Sequence, residues 1–293
     1  MAIHHGAVAS GVLGTTFSQR RIDWRRIALP PAPPWKQSVR AAVEDGSIAA
    51  LLDVIRQHAT AHAGTPPAAA KREMARLLLQ RFHGASLLSV AIQLSTCTEP
   101  GAQEVGALLL PAAYPLGPEE VSSALKQACM HPHWEVREWA ASALGALLSA
   151  HVDAVFPIVD SWATDPSDLL RRGVVIALME YGKVCAPEKA QMVLDALRRM
   201  LHDPAPYVQK NLGPFAIGSV LAARFPEAVL ASLREWVHDE DAHARQQVAL
   251  IFSAAAGARL AKAGRDVLDI LLADPRPEVQ RAVRKALRRM PDA

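Results

Sequence analysis

The fold of this protein is decided by the stretch HPHWEVREWAA at residues 131–141, because its pattern recurs along the chain. An apolar residue, Val136, stands four positions after Pro132, and a basic residue, Arg137, stands five positions after it. The same register returns at Pro166, Pro204, Glu240 and Pro275, at intervals of 34, 38, 36 and 35 residues, and a weaker copy begins at Pro100. Repeats of this length with two amphipathic segments each are typical of a helical solenoid, a stack of helix pairs.

The turn-proline, apolar, arginine pattern resembles HEAT repeats. No alternating run rich in Val, Ile and Thr indicates a β-strand. We therefore predict an all-α fold, a right-handed α-solenoid of HEAT-like repeats over residues 39–293. Each repeat should contain an outer and an inner helix. The outer helices are predicted at residues 119–129, 153–164, 188–202, 226–237 and 260–273, and the inner ones at 134–149, 167–183, 205–222, 241–255 and 276–290.

The segments before residue 119 follow a less regular pattern. Helices are predicted at residues 38–61, 68–82, 86–95 and 102–110, with a connection from Pro111 to Pro118. Aspartates end several of the later inter-helix turns, where a carboxylate can cap the helix that follows. These residues are Asp165, Asp203 and Asp274.

Residues 1–38 are predicted to form a flexible, proline-rich arm. Four prolines within residues 30–34 exclude a regular helix and favour polyproline II or irregular backbone. Before them, Arg20-Arg21 and Arg25-Arg26 flank Trp24. This group has two interpretations. It contacts the phosphates and bases of a nucleic acid, or it belongs to a leader that packs over the first helices with its arginines in solvent.

Composition limits the class of protein. A formal net charge of +3 and a pI near 8.9 fall short of the basicity of a dedicated nucleic-acid binder. From Pro132 onward, 20 Lys and Arg residues balance 20 Asp and Glu residues, so a nucleic-acid surface requires segregated charges. No apolar run is long enough for a transmembrane helix. Three distant cysteines, Cys97, Cys129 and Cys185, argue against a disulfide framework or zinc site and agree with a cytoplasmic location.

The position six residues after each repeat start carries the functional argument. It holds Gly106, Glu138, Arg172, Lys210, Gln246 and Arg281, so a single carboxylate stands among basic and neutral residues. A helical period of 3.6 residues places Trp134 on the same face as Glu138. Arg137, Ala141 and Gly145 complete that face. We expect it to be exposed, with an aromatic ring, a carboxylate and two small residues available to a large ligand.

Three segments between residues 100 and 237 resemble, in order and spacing, the core of AlkD/AlkC-type alkylpurine DNA glycosylases. They are HPHWEVREWA, DLLRRGVVIALMEYGK and YVQKNLGPFAIGSVLAARFPEAV. In that family a tryptophan, a carboxylate four residues later and an arginine of the next repeat lie in the catalytic cleft. The matching residues here are Trp134, Glu138 and Arg172. The chain differs in having Glu where Asp is frequent, and Pro214-Phe215 where the AlkD branch has a second cleft tryptophan.

The resemblance implies a DNA-repair enzyme that binds duplex DNA and hydrolyses the N-glycosidic bond of cationic N3- or N7-alkylated purines. The positive charge weakens that bond, and departure of the base leaves an oxocarbenium-like sugar. Glu138 would stabilise this cation and orient a water, Trp134 would contact the lesion, and Arg172 would complete the catalytic set. The DNA-binding set would be Arg137, Arg171, Gln209, Lys210, Phe215, Arg245 and Arg281.

Such chemistry needs neither a metal nor a cofactor, and we expect none. His131 and His133 lack a third ligand and do not predict a metal site. The expected partner is duplex DNA with alkylated bases, and no membrane contact is expected. We predict a monomer that works in the cytosol, at the nucleoid.

Several of these residues also have structural interpretations. Arginines at the positions of Arg137, Arg171 and Arg245 in HEAT repeats pair with aspartates of neighbouring repeats and form an internal ladder. The basic C-terminal segment, residues 276–290, either extends a nucleic-acid face or caps the open end of the solenoid.

Glu138 can form a solvated ion pair with Arg172, and Trp134 can staple the turn before its helix. Two alternative functions follow: a HEAT-repeat protein that binds damaged or branched DNA without cutting it, and a HEAT scaffold that binds a protein partner. DNA binding predicts one positive track through Arg172, Lys210 and Arg281. A scaffold predicts neutralised charges and an exposed apolar groove.

Overall fold

The computed structural model describes residues 34–61 and 63–290, and the regular secondary structure of these ranges is helical. No β-strand occurs within these ranges. The α-helices, numbered in chain order, are α1 (Pro34–Asp45), α2 (Ile48–Gln57), α3 (Ala68–Arg81), α4 (Gly84–Thr96), α5 (Pro100–Ala113), α6 (Pro118–Cys129), α7 (Trp134–Ala150), α8 (Val152–Trp162), α9 (Asp168–Gly182), α10 (Ala190–Arg199), α11 (Pro206–Asn211), α12 (Ala222–Arg224), α13 (Pro226–Trp236), α14 (Ala242–Ile251), α15 (Ala255–Ala258), α16 (Arg265–Leu272) and α17 (Pro277–Leu287). A π-helix, Leu212–Leu221, joins α11 to α12 without a break. Within the described ranges, no helix has the length and apolar character needed to span a membrane.

The helices pack in two layers that alternate along the chain. In the inner layer, α1, α3, α5, α7, α9, α11 with its π-helix, α14 and α17 each pack on the next. The outer layer consists of α2, α4, α6, α8, α10, α13 and α16, each beside an inner helix. This order confirms the predicted all-α solenoid of helix pairs.

The repeat register of the sequence is also the register of the core. The residue four positions after each repeat start is the third residue of an inner helix and is 0% exposed. These residues are Val136, Leu170, Val208, Ala244 and Val279. Burying one valine or leucine side chain contributes about 1.5–3 kcal/mol relative to leaving it in water. The column of apolar residues therefore stabilises the stack of repeats.

Aspartates order the turns before the inner helices, although they do not act as the predicted caps. Asp165, Asp203 and Asp274 each accept, through Oδ1, a 2.9 Å hydrogen bond from the backbone N–H two residues later. That donor residue is itself the N-cap, so each aspartate stands too early in the chain to reach the first helical turn. Asp241 does cap α14, because it accepts from two backbone N–H groups of the first turn.

Two predicted boundaries before residue 120 are wrong. The single helix expected over residues 38–61 is divided into α1 and α2 at Gly46, whose φ is 78°. A positive φ ends an α-helix, and Ser47 then caps α2 with a 3.1 Å hydrogen bond. The expected connection after residue 110 is partly helical, because α5 continues through Pro111 to its end.

The predicted arm of residues 1–38 lies mostly outside the described residues. Its last five residues belong to α1, which begins at Pro34. Proline suits this position because the first helical turn leaves its N–H groups without a partner. Trp24 and the arginines around it lie outside the described residues.

Candidate functional site

Glu138 and Arg172 form an ion pair between adjacent inner helices. Nη2 of Arg172, in α9, donates a hydrogen bond to Oε1 of Glu138, in α7. The arginine side chain is 7% exposed and the glutamate side chain 39%, so the carboxylate is the solvent-facing end of the pair. The ring of Tyr207, in α11, lies 4.8 Å from the arginine guanidinium. Three consecutive inner helices therefore meet at this ion pair.

Trp134 is the first residue of α7 and is 45% exposed. One helical turn separates it from Glu138, so the two residues lie on the same face of the helix. The small residues predicted for that face are not exposed: Ala141 is 0% exposed, and a Cβ on Gly145 would lie 2.6 Å from Cβ of Glu180. Close packing of α9 covers this part of α7. The exposed face is therefore restricted to the first turns of the helix.

Arg137 is held by its own turn. Nη1 donates to the carbonyl oxygens of His131 and Pro132 at 2.7 and 2.8 Å. Nη2 lies 3.4 Å from the hydroxyl oxygen of Tyr207. These bonds order the turn before α7. They also occupy the guanidinium of Arg137, which the sequence analysis assigned to DNA contact.

Arg171 and Arg245 form the internal ladder that is the structural alternative to DNA contact. Arg171 donates to both carboxylate oxygens of Asp203 at 2.6 and 3.1 Å, and this contact raises the pKa of the arginine. Nε of Arg245 lies 2.7 Å from Oδ2 of Asp274. The two arginine side chains are 15% and 17% exposed. Both are therefore committed to junctions between repeats.

Glutamine takes the place of the ladder arginine in two repeats. Nε2 of Gln209 donates to the carbonyl oxygen of Asp203, and Nε2 of Gln280 donates to that of Asp274, both at 2.7 Å. The carboxylate of Asp274 also accepts from Arg276, and this bond is the main reason that its pKa falls to about 2. Gln209 thus has a partner in the fold as well as its predicted role toward DNA.

The other predicted DNA-binding residues face solvent. Phe215 is 51% exposed, and Lys210 and Arg281 are exposed and have no carboxylate partner within the described residues. The predicted positive track is therefore divided. Arg172 is neutralised by Glu138, whereas the two cations of the later repeats are not compensated.

Lys210 and Phe215 line a cleft of about 580 Å³ near the C-terminal end of the inner layer. Gln246 of α14 also lines it, together with Lys285 and Arg289, two cations that were not among the predicted site residues. The spacing of four residues from Arg281 to Lys285 and on to Arg289 is the sequence signal for their common face.

The π-helix forms one wall of this cleft. The backbone N–H of Gly213 donates to Oε1 of Gln247 at 3.0 Å, and a Cβ on Gly218 would come within 2.6 Å of a backbone carbonyl oxygen of α14. Pro214 has no N–H to continue the α-helical ladder. π-Helical turns occur frequently at functional sites. The sequence pattern predicts a regular inner helix over residues 205–222 and does not reveal the π-helix at Leu212–Leu221.

A buried polar cluster that the repeat pattern does not reveal lies beneath the start of α7. The ammonium of Lys71, whose side chain is 2% exposed, donates to Glu104 of α5 at 2.6 Å and to Glu135 of α7 at 3.0 Å. The Thr65 hydroxyl also donates to Glu135. The ring of Trp139 lies 4.8 Å from the same ammonium. These contacts tie the first turns of α7 to α3 and α5.

One oxygen of this cluster, Oε1 of Glu104, is buried and has no hydrogen-bond partner among the described residues. It lies 4.0 Å from Nδ1 of His133, whose Nε2 lies 3.0 Å from the carbonyl oxygen of Ala63. Burial raises the pKa of Glu104, while the hydrogen bond from Lys71 opposes that rise. The described ranges contain no group of three His, Cys, Asp or Glu side chains arranged to hold a metal ion.

Comparison with known proteins supports a repeat architecture. Residues 121–213 match the family model for HEAT repeats. The chain is similar to the crystal structure of smu.31 from Streptococcus mutans UA159, with a TM-score of 0.53 and 17% identity over 73% of this chain and 96% of that chain. YibA of Escherichia coli aligns at a TM-score of 0.40 and 16% identity, over 89% of this chain and 99% of that chain. No curated protein matches the sequence significantly.

At 17% identity the likeness to smu.31 concerns the fold alone. The family match covers three consecutive inner helices, α7, α9 and α11, with the outer helices between them. Together with the two-layer packing, the family match identifies an all-α solenoid in which residues 121–213 match HEAT repeats.

Proposed function

We propose that this protein binds duplex DNA along its inner layer and hydrolyses the N-glycosidic bond of cationic N3- or N7-alkylated purines. The observation that carries the proposal lies at the start of α7. There the partly exposed carboxylate of Glu138 is held by the buried Arg172, one helical turn from the exposed indole of Trp134. Lys210 and Arg281, exposed cations of the same layer, support a polyanionic ligand. The proposed compartment is the cytoplasm, and no second chain is required.

The carboxylate of Glu138 can orient the attacking water and accept its proton. A cationic purine leaves as a neutral base with the electron pair of the glycosidic bond, and the sugar becomes oxocarbenium-like. Oε1 of Glu138 accepts from Arg172, whereas Oε2 accepts no hydrogen bond among the described residues and is available to a water. The water oxygen bonds to the anomeric carbon, and its proton passes to the carboxylate.

Trp134 and Arg172 have different roles in this proposal. A cation over an indole ring gains about 0.5–2 kcal/mol, so Trp134 favours an alkylated, positively charged base over a normal one. The positive charge of Arg172 partly cancels the negative charge of Glu138 and so reduces the electrostatic stabilisation of the sugar cation. Arg172 is therefore chiefly a positioning residue that holds the carboxylate in place.

Two other functions remain as outcomes of the test. A protein that recognises damaged or branched DNA without cutting it would use the same exposed cations and would not need the carboxylate of Glu138. A scaffold for a protein partner would require an exposed apolar groove. The cleft beside Phe215 is lined by cations and amides as well as apolar side chains, which favours an anionic ligand.

The experiment is base release from duplex DNA that contains N7-methylguanine or N3-methyladenine, measured with the DNA saturated by protein. Glu138→Gln keeps an oxygen for Arg172 but cannot accept the proton of the water. Its release rate is therefore expected to fall about 100-fold or more. Glu235→Gln alters an exposed carboxylate of the outer layer that is paired with Arg198, and this matched control should keep the wild-type rate.

Loss of release in Glu138→Gln with retention in Glu235→Gln would support the glycosylase function. Salt-dependent binding to duplex DNA without base release in the wild type would replace it with the non-catalytic function. Absence of both release and binding would leave the protein scaffold as the better account.

A further inference from the structure

The cleft beside Phe215 is a concavity distinct from the Glu138–Arg172 pair. Its volume of about 580 Å³ is within the range of ligand sites, roughly 300–1,000 Å³. Its walls come from α11 and the π-helix, from α14, and from α17 with the residues that follow it. None of the described residues that line it is an aspartate or a glutamate.

Lys210, Lys285 and Arg289 bring positive charge to this one cleft. None of the three has a carboxylate partner in the part of the chain that the structure describes. By contrast, Arg245 of α14 does not line the cleft, and its Nε lies 2.7 Å from Oδ2 of Asp274. Cations gathered without counter-ions repel one another, so an anion that bridges them would be bound favourably.

Phe215 and Gln246 add features that a plain anion site does not need. Phe215 is an aromatic side chain that is 51% exposed at the cleft, and the amide of Gln246 has no hydrogen-bond partner within the described residues. Proteins hold unpaired nucleotides with this combination: cations contact the phosphate, an aromatic ring stacks on the base, and an amide reaches the base edge.

We propose that the cleft binds an unpaired nucleotide of a single DNA strand, with its base on Phe215 and the adjoining phosphates on Lys285 and Arg289. A base inside a duplex cannot take this position, because its neighbours cover both faces. The inference goes beyond the duplex binding proposed above and does not depend on base release by Glu138. DNA with a gap or flap should therefore bind more tightly than intact duplex.

The test compares a fluorescent oligothymidine with an intact duplex of equal length, by polarisation. Stacking of one base on an aromatic ring contributes about 1–3 kcal/mol, so Phe215→Ala should weaken oligothymidine binding roughly 5- to 150-fold and lower the single-strand to duplex affinity ratio. Val184→Ala, at a 64% exposed apolar residue outside the cleft, is its matched control and should change neither affinity.

The cations are tested by Lys285→Gln and Arg289→Gln. Each should weaken oligothymidine binding and reduce the salt-dependence slope by about 0.7, the value for one phosphate contact on a single strand. Lys262→Gln removes an exposed cation that does not line the cleft and should leave the slope unchanged. Circular-dichroism melting verifies that every variant is folded.

Three outcomes would overturn the proposal. They are wild-type affinity in Phe215→Ala, equal losses in Lys285→Gln and Lys262→Gln, and a Kd for thymidine monophosphate equal to that for oligothymidine, which would assign the cleft to a free nucleotide. Oligothymidine binding that depends on Phe215 in a protein without base release would reject the glycosylase function and retain this site.

Discussion

The guanidinium of Arg172 lies between the carboxylate of Glu138, to which it donates a hydrogen bond, and the ring of Tyr207, which is 4.8 Å away. These residues come from α9, α7 and α11, so the contact joins three successive repeats. Because Arg172 is nearly buried and Glu138 is not, the same pair contributes to the fold and presents a carboxylate to solvent. Its two roles can be separated by substitution.

Glu138→Ala is expected to lower the free energy of unfolding by about 1–3 kcal/mol, because it leaves the buried guanidinium of Arg172 without its acceptor. Glu235→Ala, which breaks an exposed pair with Arg198, should cost less than about 1 kcal/mol. Urea unfolding at neutral pH measures both. Equal losses in the two variants would mean that the burial of Arg172 does not increase the contribution of its ion pair to the free energy of unfolding.

Substitution of a ladder arginine should mainly lower the stability of the fold, whereas substitution of an exposed arginine should mainly lower the affinity for DNA. Arg171→Ala removes two bonds to Asp203 and two to turn carbonyl oxygens, and should destabilise the protein by about 2–4 kcal/mol. Arg281→Ala should change stability by less than about 0.5 kcal/mol. Duplex affinity at low salt should instead fall in Arg281→Ala. Unaltered affinity there would exclude Arg281 from the DNA-binding surface.

Lys71→Met should be among the most destabilising substitutions in the chain, by about 3–5 kcal/mol, because the carboxylates of Glu104 and Glu135 would share a buried site without a cation. Adding Glu104→Gln removes one of those charges and should restore part of the loss. The double variant and both single variants are compared by urea unfolding. Strictly additive losses would show that Lys71 and Glu104 do not interact.

Asp274 should make stability depend on pH in acid. Its folded-state pKa is about 2, below the ordinary value of 3.8, mainly because Arg276 donates to it. Its contribution is therefore complete above about pH 4 and is lost as the pH falls from 3.8 toward 2. This shift corresponds to about 2 kcal/mol.

Asp274→Asn should accordingly be less stable than the wild type at pH 7, and the difference should shrink at low pH. Asp269→Asn, at an exposed aspartate paired with Arg265, is the control and should show a smaller difference at either pH. A stability gap for Asp274→Asn that is constant from neutral to acid pH would contradict the assigned role.

The repeat fold could be predicted from residue spacing. The apolar position that includes Val136 and Leu170 recurs every 34 to 38 residues and is 0% exposed throughout. Burial of such a column requires only that each helix present the same face to its neighbour, and a periodic sequence guarantees this. Local deviations, such as the break at Gly46, depend on single backbone conformations and were not predicted.

The candidate site was predictable only in part. Spacing along one helix was enough to place Trp134 and Glu138 on a common face, and the repeat register offered Arg172 of the next repeat as a partner for Glu138. The sequence left open whether Arg171 pairs with an aspartate inside the fold, as it does with Asp203, or contacts DNA, because the partner of a cation depends on how adjacent helices are rotated and how closely they approach.

The buried Lys71–Glu104 pair and the cleft beside Phe215 show the same dependence on packing. Residues of the pair stand 33 positions apart and meet because α3 packs on α5. Periodic apolar positions were sufficient to establish which layers form, since hydrophobic burial is non-directional and needs only a matching face. Ion pairs and π-helical hydrogen bonds depend on direction and on short distances, so the tertiary packing of the helices decided where they form.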